Sequence, residues 1–180
     1  EWPKPPADAL NAADEALHGE IARVWSELAA DGDARAIVLT GAGKAFSAGG
    51  DVEMMSSIGG EGSGGFLDLT VRLHAFIATL RRAPKPVVAA VNGVAAGAGF
   101  SFALACDTAV AAASARFTLG YQNIGLSPDG SSTFSLPRIV GTRKAMELAL
   151  LGERFPAAEA LRLGLVNKVV PDSELDATAD

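Results

Sequence analysis

Apolar residues recur at helical spacing in two early segments of the chain. Residues 13–32 carry one apolar face, and the predicted helix ends at Gly32. This face consists of Leu17, Ile21, Val24 and Leu28. A second helix is predicted over residues 66–83, where the Pro-Lys-Pro sequence that follows closes it. The Gly- and Ser-rich residues 56–65 between them are typical of a flexible linker or surface loop.

Short β-branched and apolar runs predict buried strands. They cover residues 35–41 (RAIVLTG), 86–93 (PVVAAVNG) and 107–113 (DTAVAAA). The first run leads into the Gly-rich loop GAGKAFSAGGD and the second into GVAAGAGF, with a helical run after it. A helix, a strand and a Gly-rich loop therefore follow one another twice. This order favours α/β architecture, with function at the loops beyond the strand ends.

The remainder of the chain continues the same alternation. The short segment 115–120 (ARFTLG) precedes GLSPDGSST, which opens a helix that continues to residue 141. Two more helical segments are predicted at 142–152 and 156–164, and residues 165–170 (LVNKVV) are strand-like.

Composition limits the classes of partner. A chain of 180 residues with 49% apolar residues predicts one domain over residues 1–180. The net charge of -6 argues against a nucleic-acid or anionic-membrane surface, although a phosphate-bearing small molecule stays possible. We find neither a membrane-spanning run nor a signal peptide, and we expect a cytoplasmic protein. Because the chain lacks an initial Met and stops at an apparent helix start, we expect a longer gene product.

The sequence lacks the motifs of several common binding and catalytic sites. GAGKAF has neither the third glycine of a dinucleotide fingerprint nor the residues of a P-loop. No GxSxG nucleophile elbow occurs, and His18 and His74 fall on predicted helix faces, which favours surface histidines. We expect no metal site, because His and carboxylates do not cluster at ligand spacing. The lone Cys106 lies in an apolar run and is interpreted as a buried small hydrophobe.

The two Gly-rich loops, SAGGD and AAGAGF, are the remaining candidates for chemistry. Glycine and alanine let a ligand oxygen approach the main chain closely, and two convergent N–H groups would form an oxyanion hole. Glycines that only make tight turns are the simpler interpretation of either loop alone.

The paired motifs GAGKAFSAGGD and KPVVAAVNGVAAGAGFSFALACD resemble the signature of the crotonase superfamily, the enoyl-CoA hydratases and isomerases. GLSPDGSSTFSLPRIVG and AMELALLGERFPAAEALRLGLVNKVV resemble later segments of that family in the same order, so the likeness spans residues 10–170. The resemblance implies an α/β spiral of ββα repeats that binds an acyl-CoA thioester. Coenzyme A is then part of the substrate, and no separate cofactor is expected.

The resemblance also assigns roles to individual residues. The amides of Gly50 and Ala98 would hold the thioester carbonyl, and negative charge built there by proton abstraction is what two fixed donors would stabilise. Ser47, Ala48 and Asp51 match the segment that meets the adenine end of CoA. Family members extend beyond this sequence with helices that build trimers or pairs of trimers. A homotrimer or dimer of trimers is therefore implied, without that C-terminal segment here.

This sequence departs from the family pattern at positions that bear on which reaction is catalysed. Family hydratases carry two glutamates that handle water, and this chain has Ser101 and Tyr121 at those positions. Neither is an equivalent base or acid near neutral pH. Asp129 occupies a position where a subset of the family's isomerases carries an acidic residue. Ser-Pro-Asp-Gly is also a good type I turn sequence, so a turn carboxylate is the competing interpretation.

The expected activity is therefore acyl-CoA isomerisation, a shift of a double bond from β,γ to α,β or a related ring-epoxide reaction. Asp129 would be its single acid/base. Ser101 and Tyr121 would line or hydrogen-bond the acyl group, or simply fill space. The alternatives are a hydratase or thioester hydrolase of the same family, a catalytically silent acyl-CoA-binding or assembly subunit, and a plain structural domain.

Overall fold

The computed structural model describes residues 10–13, 23–25, 27, 28, 30–59 and 63–180. The strands are β1 (Ile37–Thr40), β2 (Ala45–Ser47), β3 (Val87–Val91), β4 (Val94–Ala96), β5 (Thr108–Ala112), β6 (Arg116–Thr118), β7 (Phe155–Pro156) and β8 (Lys168–Val170). The helices are α1 (Val52–Gly59), α2 (Ser63–Arg81), α3 (Ala98–Ala105), α4 (Ser132–Val140), α5 (Thr142–Leu151), α6 (Ala157–Arg162) and α7 (Leu175–Ala179), with 3-10 turns at Tyr121–Ile124 and Asp172–Glu174.

Consecutive strands divide between two four-stranded sheets. One sheet has the order β1-β3-β5-β8 and the other β2-β4-β6-β7. Neighbours are parallel except β6 and β7, which pair antiparallel. Each ββ unit thus adds one strand to each sheet before the chain turns into helix. This is the predicted α/β spiral of ββα repeats, with loops of successive units stacked at one end.

Helix α3 lies in the middle of the core, and all eight of its residues are buried. Its ring Phe100 packs edge-on against Phe117 and Phe155 at centroid distances of 5.4 and 6.0 Å. Phe102, on another side of the helix, contacts Phe76 of α2 at 5.3 Å. A helix held on every side by apolar groups keeps its N-terminus in a fixed place. That N-terminus follows the second Gly-rich loop.

Most of the predicted elements are confirmed, and three predictions need correction. Residues 41–51 are not all loop, since they contain β2, and the turn after β3 contains β4. Residues 56–59 and 63–65, expected as a flexible linker, belong to α1 and α2. The cause for α1 is a cap: the Asp51 side-chain oxygen accepts the Met54 amide at 3.0 Å. Of the first predicted helix, residues 23–25, 27, 28 and 30 are helical, while Leu17, His18 and Ile21 lie outside the described residues.

None of the helices among the described residues combines the length and the apolar character needed to cross a membrane.

Candidate active site

The two Gly-rich loops contact each other directly. Gly49, after β2, has a φ of +97°, and Gly97, after β4, has a φ of +51°. A β carbon at position 49 would lie 2.8 Å from the carbonyl oxygen of Ala96 and 3.4 Å from the amide nitrogen of Ala98. Both the backbone conformation and this close approach require glycine at position 49. The two Gly-rich loops therefore pack against each other and do not form separate tight turns.

The amides of Gly50 and Ala98 follow these two glycines. Neither amide donates a hydrogen bond to any residue that the structure describes. Ala98 is the first residue of α3, so its N–H has no partner within the helix and lies at the positive end of the helix dipole. The neighbouring Gly97 amide is occupied, because it donates to the carbonyl of Thr118 at 3.1 Å. The amides of Gly50 and Ala98, which the family resemblance implies as the oxyanion donors, are thus without a partner among the described residues.

Asp129 lies beside this region and is held by Tyr121. The Tyr121 hydroxyl donates a hydrogen bond to the Asp129 Oδ1 at 2.5 Å. The Tyr121 ring in turn lies against the second loop, with its Cζ 3.8 Å from where a Gly97 β carbon would be. One phenol therefore connects the second Gly-rich loop to the half-buried carboxylate.

The backbone of Asp129 is fixed as firmly as its side chain. Its carbonyl oxygen accepts three hydrogen bonds, from the Ser101 hydroxyl at 3.1 Å, the Ser132 hydroxyl at 2.7 Å and the Ser132 amide at 3.0 Å. Both serines are fully buried. Gly130 and Ser131 have positive φ values of 56° and 71°. The hydrogen-bonded turn thus spans residues 129–132, and not the type I turn over 127–130 that the sequence suggested.

The Tyr121 phenol stays protonated in this environment. Burial raises its pKa far above the ordinary value, and the neighbouring negative charge of Asp129 and the hydrogen bond to it raise the pKa further. The side chain is only 7% exposed. A neutral phenol can only donate to a carboxylate, so it orients Asp129 without competing for the proton.

Asp129 lines an open cleft of about 690 Å³. The floor and one wall come from residues 128–134, and the other wall is the C-terminal half of α2 with Ile77 and Arg81. This volume suits a small-molecule ligand. His74, expected as a surface histidine, is exposed and also borders the cleft.

Ser47 and Asp51 use their side chains within the protein. The buried Ser47 hydroxyl donates to the Asn11 carbonyl at 2.9 Å and accepts the Gly49 amide at 3.2 Å. Asp51 caps α1 as described. The half-buried Ala48 donates its amide to the Leu10 carbonyl at 3.0 Å. The side chains of Ser47 and Asp51 therefore shape the first loop. Any contact of this segment with a ligand would come from its backbone.

Asn92 is a residue that sequence reasoning missed. Its amide nitrogen donates to the carbonyls of Gly41 and Gly43 at 3.0 Å each, and its oxygen accepts the Gly41 amide at 3.2 Å. Asn11 supports the same loop by donating to Ala45 at 2.7 Å. An amide side chain placed directly between a buried strand and a glycine is the signal that could have identified Asn92. Asn92 ties the turn between β3 and β4 to the first Gly-rich loop.

Cys106 has no features of a reactive thiol. It is 7% exposed, and its S–H donates to the Phe102 carbonyl at 3.3 Å. Burial and the nearby Asp107 raise its pKa from 9.0 to about 12. The interpretation as a small buried hydrophobe fits. Among the residues that the structure describes, no group of three or more His, Cys, Asp or Glu is placed to hold a metal ion.

A family model described as Enoyl-CoA hydratase/isomerase matches residues 5–179 of this chain. The chain belongs to the enoyl-CoA hydratase/isomerase family. Membership explains why two short glycine motifs so far apart in sequence form adjoining loops in space, and it agrees with the resemblance found from the sequence.

Relatives within the family differ in the reaction that they are named for. The chain is 38% identical over 176 residues to a 1,2-epoxyphenylacetyl-CoA isomerase of Escherichia coli K12, covering 96% of this chain and 66% of that one. It is 39% identical over 172 residues to a short-chain-enoyl-CoA hydratase of Clostridium acetobutylicum, covering 95% and 65%. The chain thus spans about two thirds of the length of these curated relatives.

A crystal structure of an enoyl-CoA hydratase from Polaromonas sp. JS666 superposes with a TM-score of 0.93 at 38% identity. The match covers 97% of this chain and 68% of that chain. The fold is therefore that of the family over nearly all of this sequence.

Proposed function

We propose that this protein is an acyl-CoA isomerase that moves a double bond from the β,γ to the α,β position, or performs a related ring-epoxide isomerisation, with Asp129 as its acid/base. One observation carries the proposal. Tyr121, at a position where family hydratases carry a glutamate, donates its hydroxyl to Asp129 at 2.5 Å. The other such position, Ser101, is fully buried and bonds the Asp129 backbone. Both substituted positions thus hydrogen-bond Asp129, one at its carboxylate and one at its backbone carbonyl.

The reaction needs a single group that moves one proton. The Asp129 carboxylate takes a proton from the α carbon, and the C–H electron pair forms the enolate, with its charge on the thioester oxygen. The electrons then return through the conjugated system, and the γ carbon takes the proton back from the Asp129 carboxyl. The double bond has moved and Asp129 is again a carboxylate. Nothing is consumed, so no cofactor is required beyond the CoA of the substrate.

The Gly50 and Ala98 amides would stabilise the enolate. Both lack a partner among the described residues, and the N-terminus of α3 adds its dipole behind Ala98. Loss of one oxyanion donor costs about 3 kcal/mol in an acyl-transfer enzyme, where the donor also stabilises a developing oxyanion. The α3 core packing supplies the rigidity on which such a site depends.

The CoA portion is proposed to lie along residues 47–51. The side chains of Ser47 and Asp51 are engaged internally, so the backbone of this segment would make the contact. We also propose that the protein forms a homotrimer or a dimer of trimers, as the family resemblance implies.

Hydration is the second candidate, favoured by the match to a short-chain-enoyl-CoA hydratase. It requires one group to activate water and another to protonate the α carbon. Ser101 cannot fill either role, because its hydroxyl is buried and bonded to the carbonyls of Gly97 and Asp129. A binder without activity would keep the two amides and have no use for an oriented carboxylate.

Two substrates separate these functions. The protein is incubated with hex-3-enoyl-CoA and with crotonyl-CoA, and products are followed by absorbance of the conjugated thioester and by mass spectrometry. We expect isomerisation of the former and little hydration of the latter. Hydration of crotonyl-CoA faster than isomerisation of hex-3-enoyl-CoA would assign the protein to the hydratases, and binding with neither product would make it a binder.

A further inference from the structure

The cleft beside Asp129 contains basic groups that the proposed reaction does not use. His74 and Arg81, on the C-terminal half of α2, and Arg82, which follows the helix, all border it. His74 and Arg81 are separated by about two helical turns, and Arg82 lies just after the last residue of α2, so the three groups form one wall. Facing them are Asp129, Ser131 and Thr133.

Among the described residues, none of these three basic side chains makes a hydrogen bond or an ion pair. Arg81 also acts on the Cys106 thiol, where burial raises the pKa and the Arg81 charge opposes that rise. The chain as a whole is acidic, with a net charge of -6. Two guanidinium groups at a helix C-terminus are favoured by the helix dipole, which explains their presence there but not that they face the cleft of Asp129. A guanidinium lining a ligand cleft is suited to a carboxylate or a phosphate.

We propose that the wall formed by His74, Arg81 and Arg82 binds an anionic oxygen group of the substrate, and that the preferred acyl group ends in a carboxylate. This inference rests on the proposed function, since it places the acyl group in the Asp129 cleft. Asp129 must reach the α and γ carbons, so the groups across the cleft from it meet the acyl chain. The segment proposed for CoA, residues 47–51, does not border this cleft.

The phosphates of CoA offer the same chemistry, and a binding measurement distinguishes them. Hexanedioyl-CoA and hexanoyl-CoA have the same chain length and no double bond, so neither depends on turnover. Both are titrated into the protein by calorimetry, and the corresponding pantetheine thioesters, which lack the CoA phosphates of the nucleotide, are titrated beside them. The variants are Arg81→Gln, Arg82→Gln and the double variant. Arg35→Gln is the control for net charge, because Arg35 is exposed and does not border the cleft.

A terminal carboxylate should strengthen binding to the wild type about tenfold, the size of a charge-assisted hydrogen bond. We expect the double variant to lose this difference, Arg35→Gln to keep it, and the pantetheine thioesters to reproduce it. Equal binding of the two CoA thioesters by the wild type overturns the proposal. If the double variant binds every CoA thioester more weakly than the wild type but binds the pantetheine thioesters equally well, the arginines contact the CoA phosphates. That result also overturns the proposal. If the carboxylate preference is present but hex-3-enedioyl-CoA and hex-3-enoyl-CoA are not isomerised, only the proposed function fails.

Discussion

The Tyr121 hydroxyl donates a hydrogen bond to the Asp129 Oδ1 at 2.5 Å, while the Tyr121 ring packs against the Gly97 turn. The carboxylate proposed to move the proton and the loop proposed to hold the enolate oxygen are thus connected by one side chain. Because the phenol is buried and neutral, it can only donate to the carboxylate, and it thereby fixes the orientation of Asp129.

Replacing Tyr121 by Phe should lower kcat more than it weakens binding. Without the donor, the Asp129 carboxylate loses a charge-assisted hydrogen bond and the orientation that this bond gives it. We expect kcat for hex-3-enoyl-CoA to decrease by about tenfold, with the affinity for hexanoyl-CoA unchanged. Steady-state kinetics and calorimetry measure the two quantities.

A purely packing role for Tyr121 predicts a different result. In that case Tyr121→Phe, which keeps the ring, would leave kcat close to that of the wild type. Ser132→Ala removes a hydroxyl that bonds the Asp129 carbonyl and not its carboxylate. It is the matched control, and its kcat should decrease less than that of Tyr121→Phe.

The contact between the two Gly-rich loops can be tested at Gly49. Gly49→Ala combines a positive φ with a β carbon 2.8 Å from the Ala96 carbonyl oxygen. Gly43→Ala in the same loop has a φ of +71° and open space around the new atom. We expect Gly43→Ala to lower the free energy of unfolding by about 1 kcal/mol and Gly49→Ala by about 1 to 3 kcal/mol more. Urea unfolding measures both free energies. Similar losses in the two variants would contradict the close contact, because they would show that the loops can move apart with little loss of stability.

The buried thiol of Cys106 should make the protein sensitive to alkali. Its pKa is raised from 9.0 to about 12, so the folded state holds a proton that the unfolded state releases above pH 9. This part of the stability is complete below pH 9 and decreases by about 1.4 kcal/mol per pH unit between 9 and 12. Tyr121 acts in the same direction at still higher pH.

Urea unfolding at about pH 8 and pH 10.5 measures the Cys106 contribution. Cys106→Ala lowers stability at both values through its cavity, yet its loss between them should be smaller than that of the wild type by about 2 kcal/mol. Equal losses in the two proteins would show that the thiol ionises as easily in the fold as outside it.

The longer elements could be predicted from sequence, because β1, β3 and β5 are apolar runs and α2 has a clear helical period. The strands β2 and β4 could not, since three residues are too few to show a repeated alternation and both strands lie near glycines. Helix α1 was missed for another reason. Its Ser and Gly residues have poor helix propensity, and the cap by Asp51 decides its start.

The candidate site likewise has residues that could be predicted from the sequence and contacts that could not. Gly50, Ala98 and Asp129 could be named because local motifs mark them. The Tyr121–Asp129 bond could not, because it depends on how the 3-10 turn and the turn at 129–132 fold back across eight residues. The cleft wall formed by His74, Arg81 and Arg82 could not be predicted either, since Arg81 and Arg82 indicate only the end of a helix in the sequence. Such contacts are set by tertiary packing, which periodicity does not encode.

The central claim, that Asp129 moves the proton, is tested most directly by Asp129→Asn. The amide keeps the size of the side chain and an oxygen that can accept the Tyr121 hydroxyl, so the fold and the binding of hexanoyl-CoA should be unchanged. With hex-3-enoyl-CoA as substrate, we expect kcat to decrease by about 10² to 10⁴ fold, the usual contribution of a general acid/base. A variant that isomerises hex-3-enoyl-CoA at a rate close to that of the wild type would contradict the account.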